Sequence, residues 1–84
     1  MTAPPNRLEV TLPELGLGGA PLRVSVWLVD VGDEVSEGDR LLEVLSPNVT
    51  VDIPAPAAGV LVEQCVDEGQ ALVAGQLLGV IQVA

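Results

Sequence analysis

Trp27-Leu28-Val29-Asp30-Val31-Gly32-Asp33-Glu34-Val35-Ser36-Glu37-Gly38-Asp39 holds two glycines six positions apart, with an apolar run ahead of the first and Val35 between them. Laid on itself at an offset of 37 positions, the chain repeats this arrangement. Val29-Asp30-Val31-Gly32 falls on Val66-Asp67-Glu68-Gly69, Val35 on Leu72, Gly38 on Gly75, Leu41 on Leu78 and Val44 on Ile81. Each half reads as strand, Gly-containing turn, short strand, second Gly turn, strand. Glycine enters left-handed backbone without a Cβ clash, so the four glycines mark expected turns.

Outside these marks, apolar residues alternate with polar or outward ones at Val24, Val26 and Leu28, at Val49, Val51 and Ile53, and at Val60 and Val62. A period of two means strands with one buried face. Strands are predicted near 8–12, 22–29, 33–35, 41–45, 49–53, 59–66, 70–73 and 77–83. Pro or Gly interrupts almost every run long enough for a helix. Two halves, each too small to bury its own apolar face, are expected to pack face to face. The predicted class is all-β: a flattened barrel of two four-stranded antiparallel sheets with a pseudo-twofold axis. On pattern alone an SH3-like or OB barrel is the generic alternative. Binding barrels of those kinds present aromatics for stacking, and Trp27 is the single aromatic residue here.

Eighty-four residues make one small domain, expected at 8–84 behind a flexible, Pro-rich tail at 1–7. Apolar residues are 49% of the chain without any Phe or Tyr, so the core must be built from Val, Leu, Ile and Ala. No apolar stretch approaches the ~20 residues of a membrane-spanning helix. The tail lacks the apolar core of a signal peptide, so a cytoplasmic protein is expected. A start at Met1 and an end at the last strand suit a complete small protein. Arg7, Arg23 and Arg40 face twelve carboxylates, a formal net charge of −9. Such a surface repels nucleic acid and anionic membranes, and any charge-steered protein partner is expected to be basic. With one cysteine and no histidine, neither an internal disulfide nor a Cys/His zinc site can form; Cys65 reads as a small strand residue.

The quoted segment resembles the lipoyl-domain pattern Trp-Leu-Val-x-x-Gly-Asp-x-Val-x-x-Gly-Asp. Thr50-Val51-Asp52-Ile53-Pro54-Ala55-Pro56-Ala57-Ala58-Gly59 is similar to the strand and turn that follow that family's attachment site. The resemblance runs from about Val10 to Val83. It implies the barrel-sandwich hybrid of lipoyl and biotinyl domains, in which a lysine at an exposed hairpin tip carries lipoate or biotin. Aligning Leu41-Leu42-Glu43-Val44 and Thr50-Val51-Asp52-Ile53 without gaps puts that family's Asp-Lys pair on Pro47-Asn48, and this sequence contains no lysine at all. Attachment needs an amine that attacks an activated acyl group. The Asn48 carboxamide nitrogen has its lone pair delocalised into the carbonyl and cannot do this. The acidic residues that usually flank a lipoyl lysine are replaced by Leu45 and Pro47. The methionines that flank a biotinyl lysine are replaced by Pro47 and Val49.

The expected site is therefore the tip itself, Asn48 flanked by Ser46, Pro47 and Val49, with no cofactor, no metal and no catalytic residue. Ser46-Pro47-Asn48 is also good turn chemistry, which accounts for it without any function. Asn48-Val49-Thr50 forms a glycosylation sequon, which an unexported protein does not use. The acidic run Asp30, Asp33, Glu34, Glu37 and Asp39 lacks the regular spacing of a calcium loop and reads as a solvated turn region. Trp27 reads as a packing residue. No nucleophile stands beside a base, so the chain is not expected to be an enzyme by itself. Two further readings remain beside an unmodified interaction or assembly module: a carrier domain of a 2-oxoacid dehydrogenase acyltransferase, or a biotin carrier, in non-modifiable form; and a piece of a longer enzyme.

Overall fold

The computed structural model describes residues 6–83. All eight expected strands are present: β1 (Arg7–Thr11), β2 (Leu22–Trp27), β3 (Glu34–Val35), β4 (Arg40–Leu45), β5 (Thr50–Pro54), β6 (Gly59–Gln64), β7 (Ala71–Leu72) and β8 (Leu77–Val83). They form two four-stranded sheets, ordered β1-β8-β6-β3 and β5-β4-β2-β7, with every pairing antiparallel. Residues 1–5 of the expected tail and residue 84 lie outside the described residues. Arg7 already belongs to β1, and the Asn6 carbonyl accepts the Val83 N–H at 2.7 Å.

The two halves do not stack as separate sheets. The 37-residue repeat carries β2, β3 and β4 onto β6, β7 and β8, yet β3 pairs with β6 and β7 with β2. Each half lends its short strand to the other sheet. Mated hydrogen bonds fix the exchange: Gly32 N–H to Leu61 O (2.7 Å) repeats as Gly69 N–H to Val24 O (2.7 Å), and Leu61 N–H to Asp33 O (3.0 Å) as Val24 N–H to Gln70 O (3.0 Å). Four turns direct the chain across. Gly32, Gly38, Gly69 and Gly75, each in the third position, have φ of 98°, 89°, 86° and 85°, as type II turns require.

Leu41, Leu42, Leu61, Leu78 and Ile81 are fully buried between the sheets, with Val24 and Val44 beside them. The simple alternation fails where the register slips. Ser25 is an extra residue between the pairs Val24↔Val44 and Val26↔Glu43, and Val62 is its mate between Leu61↔Ile81 and Glu63↔Val80. A bulge reverses which face later side chains take. Val26 and Leu28 thus point outward, 36% and 44% exposed, and Trp27 turns in. Leu61, rather than Val60 or Val62, fills the inner face of β6. Val49 is also outward, at 44%, because it stands at the hairpin end, beyond the last pair of β4 and β5.

The Trp27 indole packs against the core and crosses between halves, its Nε1–H donating to Val66 O at 2.9 Å. Gln64 is its mate, with Nε2 donating to Val29 O at 3.0 Å. Cys65 lies just past β6 and is exposed, not within a strand as its sequence suggested. Its backbone N–H binds Leu78 O at 2.8 Å, repeating Leu28 to Leu41. Burial, then the Glu63 and Glu9 carboxylates, push its thiol above the usual range.

Gly59 starts β6 where the backbone of β8 passes too close for a side chain. A Cβ there would overlap the Gln82 carbonyl and stand 2.8 Å from Ile81 Cγ2. Gly59→Ala is expected to lower stability by ~1–3 kcal/mol through overpacking. Urea denaturation followed by circular dichroism measures this, and an unchanged midpoint means the sheet can retract around the methyl group.

Candidate functional site

The expected site lies at the end of the β4–β5 hairpin. Leu45↔Thr50 is the last strand pair, and the Ser46 N–H donates to Val49 O at 2.9 Å, leaving Pro47 and Asn48 as the apex. The Ser46 hydroxyl donates to the same Val49 carbonyl at 3.1 Å and accepts the Val49 N–H at 3.3 Å. Proline presets φ of the first apex residue, and neither apex residue adopts positive φ. Two-residue hairpin loops ordinarily use positive φ to match strand twist. The serine hydroxyl thus bridges the two strand ends beside the backbone bond. Pro47, Asn48 and Val49 are exposed, and Leu45 and Ser46 are half-buried.

Beside the apex is a shallow cavity of about 250 Å³ lined by Pro21, Arg23, Leu45, Ser46 and Pro47. Arg23 is its only charged lining residue. The pseudo-twofold repeats this cavity at the opposite end of the sandwich, where Ala58, Val60, Gln82 and Val83 replace Pro21, Arg23, Leu45 and Ser46. The cation thus distinguishes the apex side. Arg7 and Arg40 instead approach Glu63 (3.9 Å) and Asp52 (3.4 Å).

The acidic run is not simply solvated. An Asp33 carboxylate oxygen accepts the Asp30 N–H at 2.9 Å, and Asp39 accepts that of Ser36 at 2.8 Å. Gln70 and Gln76 do the same for Asp67 and Val73, each at 3.0 Å. Glu68 accepts the Trp27 N–H at 3.1 Å. Asp33 and Asp39 therefore close turns, a role visible in the sequence only because the repeat lays them on glutamines.

An exposed hairpin apex joins two interlocked halves whose short strands are exchanged between the sheets. Residues 8–81 match the biotin/lipoyl family profile, described as "Biotin-requiring enzyme". The chain belongs to the biotin/lipoyl domain family. Similar proteins include the dihydrolipoyllysine-residue acetyltransferase component of the acetoin cleaving system from Pseudomonas putida, 36% identical over 86% of this chain and 20% of that protein. The lipoamide acyltransferase component of the branched-chain alpha-keto acid dehydrogenase complex from Bacillus subtilis is 33% identical over 83% of this chain and 16% of its own length. The chain thus spans about a fifth or less of these relatives. Among solved structures, the lipoyl domain of the 2-oxoglutarate dehydrogenase complex from Azotobacter vinelandii superposes with a TM-score of 0.71 at 24% identity, covering 88% of this chain and 94% of that one. Urea carboxylase from Kluyveromyces lactis gives 0.79 at 20% identity, over 96% of this chain and 7% of that one. Both show the biotin/lipoyl fold. The apex of this chain, Ser46 to Val49, carries a hydroxyl, a carboxamide and apolar groups.

Proposed function

We propose that this biotin/lipoyl-family domain is an unmodified, non-enzymatic module that works through protein contacts, as an interaction or assembly domain. The observation that carries the reading is the exposed Pro47-Asn48 apex in a sequence without lysine. On the resemblance to lipoyl domains, Asn48 stands where the attachment lysine would be. Without that amine neither lipoate nor biotin can be joined through an amide. Exposed Pro47, which shares a cavity with Arg23, and exposed Val49 remain available to a protein surface. The relatives are components of acyltransferase systems, and we infer that the partner belongs to an assembly of that kind. A net charge of −9 favours a basic partner. The reading extends to a cytoplasmic protein, in keeping with its single, unpaired cysteine.

A carrier domain in non-modifiable form is the second reading, supported by the acyltransferase relatives. Co-expression with a lipoate ligase and with a biotin ligase, followed by intact mass measurement, is expected to return the unmodified polypeptide mass in both cases. A lipoyl or biotinyl increment in either sample overturns the proposal. A stoichiometric partner recovered from native lysate separates the interaction reading from an inert carrier.

A further inference from the structure

The apex is the one covalent link between two segments that complete each other's sheets. Residues 6–46 contain β1 to β4 and residues 49–83 contain β5 to β8. Of the six strand pairings among the described residues, four join a strand before the apex to one after it: β1·β8, β2·β7, β3·β6 and β4·β5. Only β2·β4 and β6·β8 lie within a segment. The hydrogen bonds of the exchanged turns, Gly32 to Leu61 and Gly69 to Val24, also cross from one segment to the other, as does the Trp27 indole bond to Val66. Each segment is therefore the other's main binding partner.

The link between them, Ser46 to Val49, has no glycine and no positive φ. A two-residue loop between twisted strands favours positive φ, as in Asn-Gly turns, and this apex has none. Proline biases the residue before it toward extended backbone, so Ser46 favours running straight on from β4. Proline itself fits an extended chain as well as a turn. Leu45-Ser46-Pro47-Asn48-Val49-Thr50 can thus continue as one strand at the loss of little more than the Ser46–Val49 contacts. A short hinge that loses few contacts on extension permits exchange of elements between copies.

We propose that the apex is a hinge for strand exchange with a second copy of this chain: with the hinge extended, β1–β4 of one copy complete both sheets with β5–β8 of the other. Every pairing within the two folded units is retained, and only the hinge differs. Because each copy carries nine excess negative charges, screening by salt favours the dimer.

The test is to unfold the protein and refold it at millimolar and at micromolar concentration, then separate species by size-exclusion chromatography with light scattering. A dimer is expected from the concentrated sample, exchanging slowly with monomer after dilution. Glu34→Cys with Val60→Cys, in a Cys65→Ser background, places a thiol on each side of the β3·β6 pair. After oxidation, the dimer fraction is expected to run as a covalent dimer on a non-reducing denaturing gel, and the monomer fraction as a monomer. Pro47→Asn with Asn48→Gly supplies the favoured turn and is expected to cut the dimer fraction at least tenfold, with thermal unfolding confirming that the variant folds. Monomer under all refolding conditions overturns the proposal. So does a dimer whose cross-link stays within one chain, which is a surface dimer, or a dimer fraction unmoved by the Asn-Gly apex in a folded variant.

Discussion

The triple variant Leu45→Asp, Pro47→Asp, Asn48→Lys is expected to gain one lipoyl group in most molecules when co-expressed with a lipoate ligase, whereas the wild-type chain gains none. The expected change is from absent to near-complete modification, read directly by intact mass. Its basis is geometric as well as chemical. Leu45↔Thr50 pairing and the Ser46–Val49 contacts hold the hairpin end, so a lysine at 48 emerges from an exposed apex. Its amine is then the nucleophile that the carboxamide cannot be. Acidic residues at 45 and 47 restore the flanks that the resemblance associates with lipoyl attachment, and biotin is not expected to be added. Replacing Pro47 also removes the φ restriction at the first apex position. A folded triple variant that stays unmodified means the backbone of the apex has diverged along with its side chains.

Trp27→Ala is expected to cost about 3 kcal/mol, at the lower end of the range for truncating a tryptophan in a core because the ring is only half-buried. For a domain of this size, with a total of ~5–15 kcal/mol, that is a large share. The indole packs on the core, and its Nε1–H is tied to Val66 O. Gly79 sits under the Glu63 carbonyl and the ring: a Cβ there would lie 2.7 Å from Glu63 O and 3.3 Å from Trp27 Cη2, whereas Leu42, at the mated position, fills the core. Trp27→Phe keeps most of the packing and is expected to cost about 1 kcal/mol more than the change in ring volume, from the lost hydrogen bond. Urea midpoints followed by circular dichroism test both. An alanine variant as stable as the parent would show that the ring only rests on the surface.

The strand count, the turns and the position of the apex were legible because glycine spacing, period-two patterning and the repeat all pointed the same way. The pairing of strands between halves was not. A repeat specifies equivalent elements and leaves open whether an element pairs within its own copy or with the other. The burial errors at Val26 and Leu28 came from reading alternation through a bulge, yet the repeat held the warning. It lays Val26 on Glu63 and Leu28 on Cys65, positions that face solvent, and Val24 on the buried Leu61. The turn-closing roles of Asp33 and Asp39 were legible only by comparing them with Gln70 and Gln76, since a carboxylate in a polar turn looks the same whether or not it accepts a backbone N–H. At the apex, the proposed reading rests on residue types alone, since a sequence without lysine offers no side-chain amine there. The Ser46 hydroxyl bridge was not legible, because it depends on how closely the hydroxyl approaches both the Val49 carbonyl and the Val49 N–H.

The contact between Asn6 O and Val83 N–H, 2.7 Å, is the counterpart of that between Val49 O and Ser46 N–H, 2.9 Å. Pro47-Asn48 spans the one pair, and a connector of the same two-residue length would suffice to join Val83 to Asn6. A circularly permuted polypeptide of residues 6–83, beginning at Asn48 and finishing at Pro47, would then keep all eight strands in their present neighbours' company.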